Sequence, residues 1–178
     1  MQTLFRGRVW KFGDNVSTDL MMPGSLVLAR QLKEEEAAKY CFYANRPGWT
    51  EQVRPGDIIV AGRNFGCGSS RPGARMIQLN GITVVLAEST SRIFLRNAIN
   101  YGLPTLWCKG VHAAFDEGDT AEVDIETGVV QNLTKRITLQ ADAYPKDSPP
   151  YQIIQAGGLI PFIQRMLEER GMKPVAKA

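Results

Sequence analysis

The sequence predicts a single mixed α/β domain with buried strands, flanking helices and C-terminal hairpins. Three observations carry that prediction. Residues 57–61 (Asp-Ile-Ile-Val-Ala) and 82–87 (Ile-Thr-Val-Val-Leu-Ala) are compact apolar runs beside turn signals, as expected of strands covered on both faces. Between them and after them, apolar residues recur at i, i+3 and i+4, the spacing of a helix laid against a sheet. From Asp119 onward the texture changes to short alternating segments, 121–125, 129–133 and 137–141. Thr127-Gly128 and Thr134-Lys135-Arg136 separate them, the pattern of small antiparallel hairpins.

The elements follow in order. Residues 6–12 alternate and predict an opening strand. Gly13-Asp14-Asn15-Val16-Ser17-Thr18-Asp19 then crowds hydrogen-bonding side chains into a loop that ends near Pro23-Gly24. By composition this is a solvated loop; Asp19 is the side chain that could aim a carboxylate into a cleft. The spacing predicts a helix over 31–43, with Glu34, Glu35 and Glu36 early, as the helix dipole prefers, and Ala37, Tyr40 and Cys41 on its apolar face. Asn45-Arg46-Pro47-Gly48 breaks the chain, and Trp49 and Val53 are expected to pack beneath the strand at 57–61. Pro72 opens a helix that runs to Leu79 and closes at Asn80-Gly81. After the strand at 82–87, residues 88–92 lead into a helix carrying Phe94, Leu95, Ala98, Ile99 and Tyr101, with Arg96 and Asn97 on its polar side. Gly102 ends it, and 103–108 begin a further strand. Residues 144–150, with three prolines, form a loop. A last helical region, 153–169, is broken at Gly157-Gly158, with Phe162, Ile163, Met166 and Leu167 as its core face and a frayed tail from Gly171.

The chain is organised around residues 62–71, Gly-Arg-Asn-Phe-Gly-Cys-Gly-Ser-Ser-Arg. A glycine-rich link between strand and helix exposes amide donors and lets a ligand approach the backbone, while the helix dipole favours an anion. Ser69 and Ser70 supply hydroxyls there, and Arg71 supplies a planar cationic fork suited to a carboxylate or phosphate. The segment is not a dinucleotide fingerprint, because Gly-x-Gly-x-x-Gly is absent, and not a P-loop, because no Gly-Lys-Ser/Thr follows. A tight turn alone would not require three glycines, two serines and an arginine.

Composition excludes several classes. Apolar content is 44% and charged content 22%, which is ordinary for a folded globular chain. No apolar run reaches the roughly 18–20 residues needed to cross a bilayer. The first residues lack a secretory pattern, so a cytoplasmic protein is expected. A net charge of +3, with no basic cluster, gives no footprint for nucleic acid. Cys41, Cys67 and Cys108 are odd in number and lack Cys-x-x-Cys spacing. That argues against a disulfide framework, an independent zinc site or a self-contained iron–sulfur cluster. Cys67 stands inside the glycine turn, but the lone His112 gives no sequence argument for a Cys/His pair; packing beside the site is its expected role.

Taken together, the polar loop 13–19 with Pro23-Gly24, the turn 62–71, the helix Ser91-Arg92-Ile93-Phe94-Leu95-Arg96-Asn97-Ala98-Ile99-Asn100 and the late Ala156-Gly157-Gly158-Leu159-Ile160 resemble the small subunit of 3-isopropylmalate dehydratase. That family is equivalent to the swivelling domain of aconitase, and the resemblance runs from about Gly7 to Leu167. It implies a β/β/α swivelling domain with no cofactor of its own, paired with a large subunit that carries a [4Fe–4S] cluster. The implied reaction removes water from a hydroxy-acid and returns it at the neighbouring carbon. By the same resemblance Ser69 is the base, Ser70 its hydrogen-bonding neighbour and Arg71 the clamp on a substrate carboxylate. Asp19 matches a loop aspartate near the site, and Gly68 belongs to the substrate-facing turn.

Two departures stand out. The family continues Ser-Ser-Arg-Glu-His where this chain has Pro72-Gly73, and Ser17 replaces an acid two residues before Asp19. Substrate choice in relatives lies after Pro-Gly, where an arginine accepts an extra carboxylate; here Leu26, Val27 and Leu28 stand there, with Arg30 beyond. An apolar lining disfavours a further charge. The expected substrate is an alkyl-substituted malate, isopropylmalate or 2,3-dimethylmalate, ahead of homoaconitate or citrate. A module that binds without turnover is the competing class, and packing is the alternative role of Leu26, Val27 and Leu28.

Overall fold

The computed structural model describes residues 2–25, 31–68 and 71–172. Among these, the strands form one seven-stranded sheet in the order β4-β3-β2-β1-β5-β6-β7. β1 is Leu4–Phe12, β2 Ile58–Ala61, β3 Val84–Ala87 and β4 Thr105–Trp107; β5 is Thr120–Asp124, β6 Val129–Asn132 and β7 Ile137–Gln140. The first four pair in parallel, with Val9 opposite Ile58, Ile58 opposite Val84 and Val85 opposite Thr105. The others pair antiparallel, starting from Gly7 opposite Ala121. β1 is long because it serves both halves: its first residues face β5 and its last four face β2.

Alternation along β2 sorts the core into two layers. Ile59 and Ala61 join Trp10, Phe12, Phe42, Trp49, Phe65 and Phe94 on one side. Ile58 and Val60 join Val84, Leu86, Leu106, Phe115, Val123 and Val130 on the other. The first layer is held by aromatic edges: Phe42 meets Trp49 at 5.0 Å and 90°, and Phe65 meets Phe94 at 5.2 Å and 86°. Such a large buried ring makes Phe94→Ala a loss of about 3–5 kcal/mol.

The sheet curls until the segment after β7 covers the free edge of β4. The Asp142 N–H donates to the Trp107 carbonyl at 2.8 Å. The Tyr144 hydroxyl donates to the Thr105 carbonyl at 2.5 Å and accepts from its N–H at 3.3 Å. Burial pushes the Tyr144 hydroxyl up to about 12, so it stays a donor throughout the neutral range. An edge that would invite another strand is thereby closed.

The helix expected over 31–43 is much shorter, Glu34–Ala38. Phe42 has φ +58° and is fully buried, and the chain there runs in turns, with Tyr40, Cys41 and Tyr43 each donating three residues back. Driving Phe42 into the aromatic layer prevailed over continued helical pairing. The last helical region does break at the glycines, into Pro149–Gln155 and Leu159–Glu169. Its expected core face is not buried: Ile163 is exposed and Phe162, Met166 and Leu167 are half-covered, because this helix lies on other helices at the periphery, away from the sheet. Residues 173–178, which include most of the tail expected to fray, lie outside the described residues.

Candidate functional site

The parallel strands deliver three loops to one edge of the sheet, beyond their carboxyl ends, where open α/β sheets place ligands. The glycine turn after β2 is clamped between the loops that follow β1 and β3. Toward the first loop, the Gly66 N–H donates to the Val16 carbonyl and the Thr18 N–H to the Cys67 carbonyl, both at 2.8 Å. Toward the third, the Phe65 N–H donates to Ser89 O at 3.0 Å and the Ser91 N–H to Phe65 O at 2.9 Å. The sheet's parallel order therefore continues into the loops, as the bridges Ser17–Cys67 and Phe65–Thr90 record.

Side chains fix what the backbone begins. Ser91 caps the helix Arg92–Asn100 by accepting from the Phe94 N–H at 3.1 Å, and its hydroxyl donates to the Gly66 carbonyl at 2.6 Å. Asn64 donates to the Asn15 side chain at 2.9 Å. Asp14 accepts from the Arg63 N–H at 2.6 Å and from its guanidinium at 3.3 Å; that backbone N–H is the main cause holding the Asp14 carboxyl below the usual range. Gly66 and Gly68 adopt φ +73° and +99°, and each also lacks a side chain where a neighbour sits, Phe94 at Gly66 and the Ser17 hydroxyl at Gly68. The sequence offered no periodic signal for Asn15, Ser89 or Ser91 as supports; a serine directly before a helix was the one available clue.

The clamp brings two of the expected site residues together. Ser17 caps the short helix Thr18–Met21, its hydroxyl accepting from the Asp19 N–H at 3.1 Å, so the serine supplies the cap that the acid would have given. Asp19 then faces the Arg71 guanidinium, whose Nη1 donates to Asp19 Oδ1 across 52 positions of chain. Both side chains are open to water, Arg71 at 33% and Asp19 at 55% exposure. Gly68 lies in the clamped turn. Ser69, Ser70, Leu26, Val27 and Leu28 lie outside the described residues.

The helix after the turn is Gly73–Leu79, and it changes one expectation. Pro72 sits at its cap without an N–H, and the Gly73 N–H donates to the Arg71 carbonyl at 2.7 Å. The donor that Pro72 removes is therefore not replaced by the next amide, which is already paired within the turn. Gly73 has a packing reason as well: a Cβ there would lie 2.6 Å from the Met21 sulfur.

The donor set does not fit a resident iron–sulfur cluster. Cys41 is buried in the aromatic layer, Cys108 in the opposite layer, and Cys67 lies on the turn, so the sheet separates them. Burial pushes the Cys108 thiol up to about 11 and the Cys41 thiol well above its usual value.

A mixed sheet whose parallel strands carry a clamped glycine turn and a solvent-facing arginine–aspartate pair at their carboxyl ends defines the class of domain. The aconitase C-terminal domain model matches residues 15–109, which hold the three loops and most of the parallel half. The isopropylmalate/citramalate isomerase small subunit of Methanocaldococcus jannaschii is 44% identical over 170 residues, covering 95% of this chain and 99% of the relative. The 3-isopropylmalate dehydratase small subunit of Methanosarcina mazei is 45% identical, with 93% and 99% covered. The methanogen homoaconitase small subunit of Methanothermobacter thermautotrophicus is 44% identical, with 90% and 91% covered. A crystal structure of 3-isopropylmalate dehydratase from Methanocaldococcus jannaschii superposes with TM-score 0.86 at 34% identity, covering 94% of this chain and 98% of that one. The chain belongs to the aconitase C-terminal domain family and, within it, to the family of 3-isopropylmalate dehydratase small subunits.

Proposed function

We propose that this chain is the small subunit of a two-subunit hydro-lyase that dehydrates and rehydrates an alkyl-substituted malate. The observation that carries the reading is the Arg71–Asp19 pair at the carboxyl edge, set by the clamped glycine turn. An arginine fork held at one nitrogen and open to solvent is suited to a substrate carboxylate. Its exposure is also the argument for a partner. A serine base needs its alkoxide stabilised in a water-poor site, and a surface this open gains that enclosure only when a second subunit covers it. The family's [4Fe–4S] cluster, a Lewis acid for hydroxyl and carboxylate, would reside on that large subunit.

Within this chain the roles are as follows. Ser69, as its alkoxide, takes the proton from the carbon next to the departing hydroxyl; the electron pair of that C–H bond forms the C=C bond as the C–O bond breaks and the hydroxyl leaves with that bond's electrons. Arg71 holds the carboxylate that orients this carbon, and Asp19 orients Arg71. Ser70 supports Ser69 by hydrogen bonding, Gly68 leaves the turn open to the substrate, and Leu26, Val27 and Leu28 line the alkyl side. Relatives named for isopropylmalate, citramalate and homoaconitate are equally similar at 44–45% identity, so overall likeness does not rank their substrates. The apolar run is what favours an alkylmalate.

The test is anaerobic reconstitution with the cluster-bearing subunit, following the unsaturated product from isopropylmalate, 2,3-dimethylmalate, citramalate, homocitrate and citrate. Turnover of an alkylmalate that disappears in Ser69→Ala is the expected result. A well-formed complex that turns over none of these acids would favour a module that only binds, with Pro72-Gly73 as its mark.

A further inference from the structure

We infer that Gly24 is a positioning residue for the carboxylate-binding arginine, kept without a side chain so that the Arg71 guanidinium can lie where Asp19 holds it. Gly24 is buried at the end of the first loop, directly after Pro23. A Cβ built on it would stand 2.7 Å from Arg71 Cζ and 3.1 Å from Nε, inside the 3.4 Å at which ordinary contact begins. The other nearest neighbour would be Nη2, so all three atoms belong to the guanidinium.

Two further observations separate this glycine from those that serve the fold. Gly24 is absent from the positive-φ glycines, and its backbone is helical, so an alanine fits its conformation and is the better helix former. Where other glycines face backbone, as Gly81 faces Pro55 and Gly158 faces Asn100, a side chain would collide with the frame. At Gly24 the obstacle is the far end of a flexible side chain. Adding one carbon there therefore moves the arginine and leaves the fold in place. Gly24 also opens the stretch containing Leu26, Val27 and Leu28, so the residue that frees the arginine precedes the residues proposed to choose the substrate. The catalytic consequence rests on the function proposed above; the contact itself does not.

The experiment has two arms. In the isolated chain, the Arg71 Nε–H resonance is identified by its loss in Arg71→Lys, and its shift on breaking the pair is read in Asp19→Asn. Gly24→Ala is expected to move that resonance by a comparable amount while the thermal midpoint stays the same or rises. In the reconstituted complex, Gly24→Ala is expected to raise KM for the alkylmalate about ten-fold or more, the scale of one misplaced charge-assisted hydrogen bond. In an Arg71→Lys background it should add no further loss. An unmoved resonance overturns the inference, as does a Gly24→Ala chain that fails to fold or a loss fully additive with Arg71→Lys. Should the wild-type complex turn over no substrate, the proposed function falls, and the resonance in the isolated chain still decides the role of Gly24.

Discussion

Of the arginine–aspartate pairs, Arg8–Asp57 and Arg71–Asp19 stand at opposite ends of the parallel strands, and they are built differently. At the amino end of β2, Asp57 is buried and its Oδ2 accepts from Arg8 at 2.9 Å, from the Trp10 indole at 2.7 Å and from the Arg54 N–H at 2.9 Å. Arg8 also lies over the Trp10 ring at 4.6 Å. At the carboxyl end, Asp19 and Arg71 meet on the surface, between loops. The first pair is a closed junction that ties β1 to the turn before β2. The second offers its charge outward. A carboxylate saturated with donors records a structural role, whereas the solvent-facing guanidinium of Arg71 at the strand ends is the group proposed above to receive a carboxylate.

The largest expected effects fall on the carboxyl end. In the reconstituted enzyme, Ser69→Ala should lower kcat by roughly a thousand-fold, the scale of a lost general base, with no change in the unfolding midpoint of the chain. Arg71→Lys should lower kcat/KM by about a hundred-fold, since an ammonium cannot reproduce the planar fork. Its stability should stay within about 0.5 kcal/mol of the parent, as for surface changes generally. Loss of stability in either variant would erase the distinction between the two ends.

At the amino end the pattern should reverse. Asp57→Ala strands the Trp10 indole and the Arg54 N–H and should cost about 2–3 kcal/mol in urea unfolding. Once the protein is folded and assembled, kcat should match the parent. A smaller effect tests the antiparallel half. Burial pushes the Asp119 carboxyl upward, but hydrogen bonds from the Asp116 N–H at 2.8 Å and the Asn132 amide at 2.6 Å, with Lys135 nearby, outweigh it and hold the group low. A carboxylate with a depressed folded value adds stability above the unfolded value near 4, and that contribution vanishes as pH falls through the folded value. Wild-type stability should thus drop below about pH 4 more steeply than that of Asp119→Asn. Thiol labelling gives the mildest readout: half-buried Cys67 should react first in the native chain, and Cys41 and Cys108 only on unfolding.

Much of the frame was legible because local pattern and tertiary demand agree. β2 and β3 are short, uniformly apolar and flanked by turn residues, so only a covered sheet suits them. The hairpins alternate because one face of each strand is wet, as β5 and β6 are. Where the two demands diverged, the pattern misled. Ala37, Tyr40 and Cys41 marked a helical stripe, yet the left-handed Phe42 ended regular helix before it. Phe162, Ile163, Met166 and Leu167 marked a core face on a helix that buries none of them.

For the site, the sequence by itself determined the materials: a glycine turn between a buried strand and a helix, two serines and an arginine within it, and a polar loop ending in an aspartate. Residue type and spacing are local properties, and local chemistry limits what such a turn can do. Only the tertiary structure decided that Asp19 meets Arg71, that Ser91 and Ser17 serve as caps beside the turn, that the Gly73 amide is spent on Arg71, and that Gly24 lies under the guanidinium. Those pairings join residues between 2 and 52 positions apart, and most of them exist because parallel strands bring the loops of separate crossovers to one edge. No periodicity along the chain encodes that meeting; the register of the sheet does.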